Sequence, residues 1–165
     1  MTLQQTSNLS HPYIDLQVRQ IEETLRLDKD AVVQRVRNSM KQAQEMTPIS
    51  RTADPLPLGA ELCLDIQGAI IITEILNKLY VGRENDFDDF SAFINLEKFD
   101  ALEQGVSRLH AAIQLTKDRE LKVIDLGSIN GTFINGTAIQ PFQEYVVQEG
   151  DHIHFGSLIA TVRYL

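Results

Sequence analysis

The sequence is poor in the features that define several large protein classes. Its one cysteine, Cys63, allows no internal disulfide and offers no second thiolate for a zinc ribbon or a thioredoxin-like pair. Nine glycines and five prolines among 165 residues exclude collagen-like and low-complexity chains. The longest apolar run, Ala69-Ile70-Ile71-Ile72, falls far short of a membrane-spanning helix. The N-terminus shows no basic stretch followed by an apolar one, as a secretory leader would. Positive charge is not in excess either. The formal net charge is −8, so neither nucleic acid nor an anionic membrane surface is an expected partner. No nucleophile elbow, P-loop or paired acidic motif occurs. The expectation is a cytoplasmic, soluble, non-enzymatic protein without a cofactor. Apolar residues make up 43% of the chain, enough for one ordinary domain or a small domain with an appendage.

Charge and proline divide the chain near Leu58. Before that point seven basic residues balance seven acidic ones; after it, eight basic face sixteen acidic residues, so the whole net charge lies in the C-terminal part. Pro48, Pro55 and Pro57 disfavour helix and suit an extended linker over residues 47–60. The expected organisation is a helical extension over 1–46, that linker, and a second unit over 61–165.

From Tyr13 to Met46 the apolar positions recur at helical spacing. Ile14, Val18, Ile21 and Leu25 step by four, three and four, and Val32, Val36 and Met40 continue at intervals of four with Val33 alongside. Asp28 or Asp30 can cap a second helix and make a hairpin, while one long helix through Asp28 fits the same residues. The apolar stripe over residues 14–40 has to be covered. Its own domain, a second copy of the chain and the helix of a different partner all remain open.

From Glu61 onward the period changes. Leu62, Leu64 and Ile66 alternate with Glu61, Cys63, Asp65 and Gln67, the pattern of a half-buried strand. Gly68 turns the chain, and Ile70, Ile71 and Ile72 with Ile75 and Leu76 read as the next strand. Similar segments follow at Ala92 to Leu96, His110 to Leu115, Leu121 to Leu126, Thr132 to Ile134, Tyr145 to Val147, His152 to Phe155 and Leu158 to Tyr164. Turn residues separate them, among them Gly127-Ser128, Asn135-Gly136 and Glu149-Gly150-Asp151. Many short strands without intervening helix predict an antiparallel β-sandwich. The stretch Phe87 to Gln104 reads as loop around one short strand, with Asp86, Asp88 and Asp89 crowding its start.

Four polar motifs occur in order within this unit. Gly82-Arg83 ends a strand, and Gly105-Val106-Ser107-Arg108-Leu109-His110-Ala111 follows about two dozen residues later. Then come Asp125-Leu126-Gly127-Ser128-Ile129-Asn130-Gly131-Thr132 with Asn135-Gly136, and Gly150-Asp151-His152-Ile153-His154-Phe155-Gly156. In order and spacing this resembles a forkhead-associated (FHA) domain over roughly Glu61 to Leu165. The resemblance implies a sandwich of about eleven strands that binds phosphothreonine peptides through loops at one end. On the matching positions it implies that Arg83 holds the phosphate and that Ser107 donates its hydroxyl to a phosphate oxygen. Arg108 would reach phosphate or peptide, and Asn130 would bond the peptide backbone. Gly82, His110, Gly131 and Asn135 match residues that shape the loops. Ile129 stands where many members carry a hydroxyl residue, which removes one phosphate donor.

The chemistry agrees with that reading. A guanidinium supplies two parallel hydrogen bonds in a rigid fork, and a serine hydroxyl with loop N–H groups completes a phosphate site without a catalytic group. Other patterns are weaker. His152 and His154 share a strand face, yet two imidazoles without a third ligand do not make a metal site, and Asp86-Phe87-Asp88-Asp89 lacks the spacing of a calcium loop. The leading expectation is a phosphothreonine reader acting downstream of a Ser/Thr protein kinase. The alternative is a structural assembly protein that self-associates through its N-terminal helices with no phosphate-dependent binding. A third reading is regulation by the N-terminal tail, in which phosphorylated Thr6 or Thr24 enters the chain's own site; each has leucine three residues later.

Overall fold

The computed structural model describes residues 51–75, 78–84 and 92–165. The predicted helical extension 1–46 with its apolar stripe, Thr6 and Thr24, and the linker's first residues 47–50, lie outside the described residues. So do Leu76 and the acidic run Asp86-Phe87-Asp88-Asp89.

Among the described residues there are eleven strands, in two sheets. β1 (Glu61–Ile66), β2 (Ala69–Glu74), β7 (Thr132–Ile134), β8 (Thr137–Ala138), β10 (His152–Phe155) and β11 (Leu158–Tyr164) form the first, in the order β2-β1-β11-β10-β7-β8. β3 (Leu79–Gly82), β4 (Phe93–Asn95), β5 (Ala111–Leu115), β6 (Leu121–Asp125) and β9 (Glu144–Val147) form the second, in the order β4-β3-β5-β6-β9. Pairing is antiparallel except between β3 and β4, which run parallel. The predicted sandwich is present.

Period-two patterning builds the core directly. Leu62, Leu64, Ile66, Ile153, Phe155, Leu158, Ala160 and Val162 face inward from one sheet and meet Val81, Ile113, Leu121, Val123 and Val147 from the other, all essentially inaccessible. Each such aliphatic side chain contributes roughly 1.5–3 kcal/mol by leaving water. β1 departs from the predicted alternation, because Cys63 on its outer face is buried too. Cys63 is flanked in register by the longer Ile72 and Arg163, and a small side chain in the middle strand is shielded by its neighbours. β2 departs the other way. It is an edge strand, so Ile70 and Ile72 of its isoleucine run stay exposed while Ile71 packs on the core. Within the predicted loop after Phe87, residues Glu97–Phe99 form a 3-10 turn whose Phe99 is buried.

Loops gather at both ends of the sandwich. At one end lie the segments after β3, before β5, between β6 and β7, and between β10 and β11. At the other lie the turns joining β5 to β6, β7 to β8 and β9 to β10. The described part of the proline-spaced stretch crosses this second end. Arg51 grips Asp151 with both terminal nitrogens, at 2.7 and 3.1 Å, and Gln148 donates to the Thr52 carbonyl. The Leu56 N–H bonds the Arg119 carbonyl, and the Leu56 side chain joins the core.

Candidate functional site

The first end of the sandwich is held in shape by backbone proximity. Gly82 closes β3 directly beneath the loop that carries Arg108; a Cβ at Gly82 would sit 1.8 Å from the Arg108 carbonyl oxygen. Only a residue without a side chain allows that approach. The next N–H, that of Arg83, donates to the Ser107 carbonyl at 3.1 Å, and Leu96 N–H donates to the Gly82 carbonyl. These contacts bring Arg83, after β3, beside Ser107 and Arg108, which share the loop before β5.

His110 locks the second loop from below. It is fully buried, and its Nδ1 accepts the Ser107 N–H at 3.0 Å. A backbone N–H can only donate, so Nδ1 carries no proton, and Nε2–H donates to the Gly131 carbonyl at 3.1 Å. The imidazole is therefore neutral and bridges two loops. Burial pushes its proton affinity down, against the opposing pull of Asp125 and the Gly131 carbonyl.

Ser107 is buried at the loop's base, and its Oγ accepts the Ile129 N–H at 3.1 Å. That bond uses an oxygen lone pair and leaves the hydroxyl proton as a donor. Ile129 supplies no side-chain donor, but its backbone orients the serine. Asn130 is exposed and donates from Nδ2 to the Gly105 carbonyl at 2.9 Å, leaving amide capacity for a ligand backbone. Gly105 sits at φ +75°, and a Cβ there would come within 2.5 Å of Asn130 Nδ2.

Asp125 is the organiser of the β6–β7 loop, a role the sequence reading did not assign. Its buried carboxylate accepts the Gly127 and Ser128 N–H groups, the Ser128 hydroxyl and the Thr132 hydroxyl. An Asp ahead of Gly-Ser is an Asx-turn signal, and that was the legible clue. Asn135 joins none of this. It ends β7 at the opposite end of the sandwich, at φ +50°, where Nδ2 donates to Asp151 and Oδ1 accepts the His152 N–H. Gly131, by contrast, bonds both His110 and the Gly156 N–H at the first end.

Charge at the site centres on two arginines. Arg83 Nη1 lies 2.7 Å from Glu84 Oε1, and Arg108 Nε lies 3.7 Å from the same oxygen. All three side chains are partly exposed. Among the described residues no group of three His, Cys, Asp or Glu side chains is placed to hold a metal. His152 instead meets the Thr161 hydroxyl, and His154 stands beside the Phe133 ring. No helix among the described residues is long and apolar enough to cross a membrane.

Two guanidinium groups, a serine hydroxyl and an amide stand on interlocked loops at one end of the sandwich, donors of the kind that suit an anionic ligand. The FHA domain model matches residues 79–156. A relative in Corynebacterium efficiens, the "Oxoglutarate dehydrogenase inhibitor", is 30% identical over 112 residues, covering 66% of this chain and 69% of that protein. The human "Angiogenic factor with G patch and FHA domains 1" is 33% identical over 99 residues, covering 57% of this chain but 13% of its own length. The solution structure of the FHA domain of an Arabidopsis thaliana hypothetical protein superposes with a TM-score of 0.51 at 22% identity, covering 70% of this chain and 93% of that one, a likeness of fold. The chain belongs to the FHA family. FHA domains are non-catalytic, phosphothreonine-binding modules.

Proposed function

We propose that this chain reads phosphothreonine in a partner protein, in signalling downstream of a Ser/Thr protein kinase in the cytoplasm. In this reading Arg83 and Arg108 pair with the phosphate, the Ser107 hydroxyl donates to one of its oxygens, and Asn130 bonds the peptide backbone. What supports it is that the loops bearing these four residues lie at one end of the sandwich and are cross-linked through His110 and Gly105. Hydrogen bonds to a charged phosphate are worth roughly 1.5–3 kcal/mol each, so three side chains on the phosphate, with Asn130 on the peptide backbone, suffice for a specific peptide.

The N-terminal segment belongs to the same reading. It joins the sandwich at Arg51, at the end opposite the loops, and the chain between Thr6 and Arg51 is long enough to reach back. Phosphorylated Thr6 or Thr24 would then compete with an outside partner for the site, and the stripe over residues 14–40 would pair with a second copy or a partner helix. The organisation proposed is a helical segment 1–46, a linker 47–60 anchored from Arg51 onward, and the sandwich 61–165.

Calorimetric titration with a degenerate phosphothreonine peptide pool, beside phosphoserine and unphosphorylated pools, tests the site. Binding of the phosphothreonine pool alone is expected. Arg83→Ala should weaken it by about 2–5 kcal/mol, because the phosphate is left under-paired. Unchanged affinity in that variant would remove Arg83 from the site.

A further inference from the structure

We propose that Glu84 is an internal competitor for the phosphate: its carboxylate lies between the two arginines and sets the site's affinity for phosphothreonine. This rests on the function proposed above. One carboxylate oxygen, Oε1, sits 2.7 Å from Arg83 Nη1 and 3.7 Å from Arg108 Nε. An oxygen shared by two guanidinium groups occupies the kind of position that a phosphate oxygen would take between them. Glu84 is the chain neighbour of Arg83, whose N–H is pinned to the Ser107 carbonyl, so the competitor is tethered beside its target.

The sign follows from charge alone. If Glu84 swings out when phosphate enters, binding exchanges one ion pair for another instead of making a new one. If it stays, a phosphate of charge near −2 has to settle next to a carboxylate. Either course weakens binding relative to a neutral residue at this position. A carboxylate on the peptide, with about half the phosphate's charge, gains least from the exchange. Glu84 thus raises the threshold that an anion must pass, and a glutamate-bearing peptide falls below it.

The test is a titration of wild type, Glu84→Gln, Arg83→Ala and the double variant with a labelled phosphothreonine peptide pool and its unphosphorylated counterpart. Glu84→Gln keeps the size of the side chain and removes its charge. It should tighten phosphopeptide binding roughly three- to tenfold, from partly exposed ion pairs no longer broken. The unphosphorylated pool should be unaffected, and the gain should shrink when Arg83 is alanine. Wild-type binding with no gain, or a loss, in Glu84→Gln would overturn the competitor role and make Glu84 a positioning residue for the arginines. A full gain persisting without Arg83 would overturn it as well. Silence of both wild type and Glu84→Gln would instead remove the phosphothreonine site itself, and this inference with it.

Discussion

His110 is fully enclosed, with one ring nitrogen accepting from Ser107 and the other donating to Gly131. Protonating it would aim a second donor at the Ser107 N–H, so the fold favours the neutral ring. Its folded pKa accordingly lies below the ordinary 6.5, chiefly through burial. Between the folded value and 6.5 the unfolded chain binds more protons, so stability falls as pH drops below 6.5; above 6.5 the contribution is complete. Urea unfolding should show a lower midpoint at about pH 5.5 than at about pH 7.5. In His110→Gln, whose amide can accept from Ser107 and donate to Gly131, that difference should narrow. An unchanged difference would mean that other groups carry the pH dependence. In the sequence His110 stood out only through the family resemblance. Asp125 was harder to read, since its four donors come from positions two to seven residues on and meet only when the loop closes.

At the scale of elements, the stretch Arg51 to Leu56 behaves as part of the sandwich. Leu56 is 8% exposed and sits in the core, while Arg51 and Gln148 clamp the strap to the β9–β10 turn. Asp151 takes both Arg51 nitrogens, Asn135 Nδ2 and the Gln148 N–H, so one buried carboxylate ties three segments together. Leu56→Ala in the full chain should cost about 2–4 kcal/mol, the range for an aliphatic side chain removed from a core. Denaturant unfolding checks this, and a cost under about 0.5 kcal/mol would show that the strap only rests on the surface. A fragment starting at residue 59 would lack both anchors and is a poor vehicle for binding studies. Composition suggested linker here because prolines set an extended backbone without saying what it lies against. The same blindness applies to β2, whose isoleucines read as a strand without showing that it occupies a sheet edge.

Across the whole molecule the site works against its own field. The chain carries a net charge of −8, and all of it arises after Leu58, in the part that holds the arginines. A dianionic peptide is repelled at long range and captured only by local geometry. Phosphopeptides flanked by lysine or arginine should therefore associate faster than acid-flanked ones, by about tenfold at low salt. The two rates should converge as ionic strength rises and the Debye length shrinks below the size of the site. Stopped-flow fluorescence measures this, and equal rates at low salt would show that the acidic surface lies too far from the loops to matter.

The sequence by itself determined the β-sandwich and most of its strands, because alternating burial and turn chemistry are local properties written into neighbouring residues; the family came from the resemblance of four ordered motifs. Through that resemblance it also marked Arg83, Ser107, Arg108 and Asn130 as candidate site residues. Tertiary structure alone decided which of the marked residues meet. Asn130 and Asn135 both stand beside glycine in turn sequences, yet β7 lies between them and carries them to opposite ends. Glu84 looked like one acidic residue among many until the Gly82–Arg108 contact brought a second guanidinium to the same oxygen. Partners across loops are set by the path of the backbone through space, and no local pattern encodes that path.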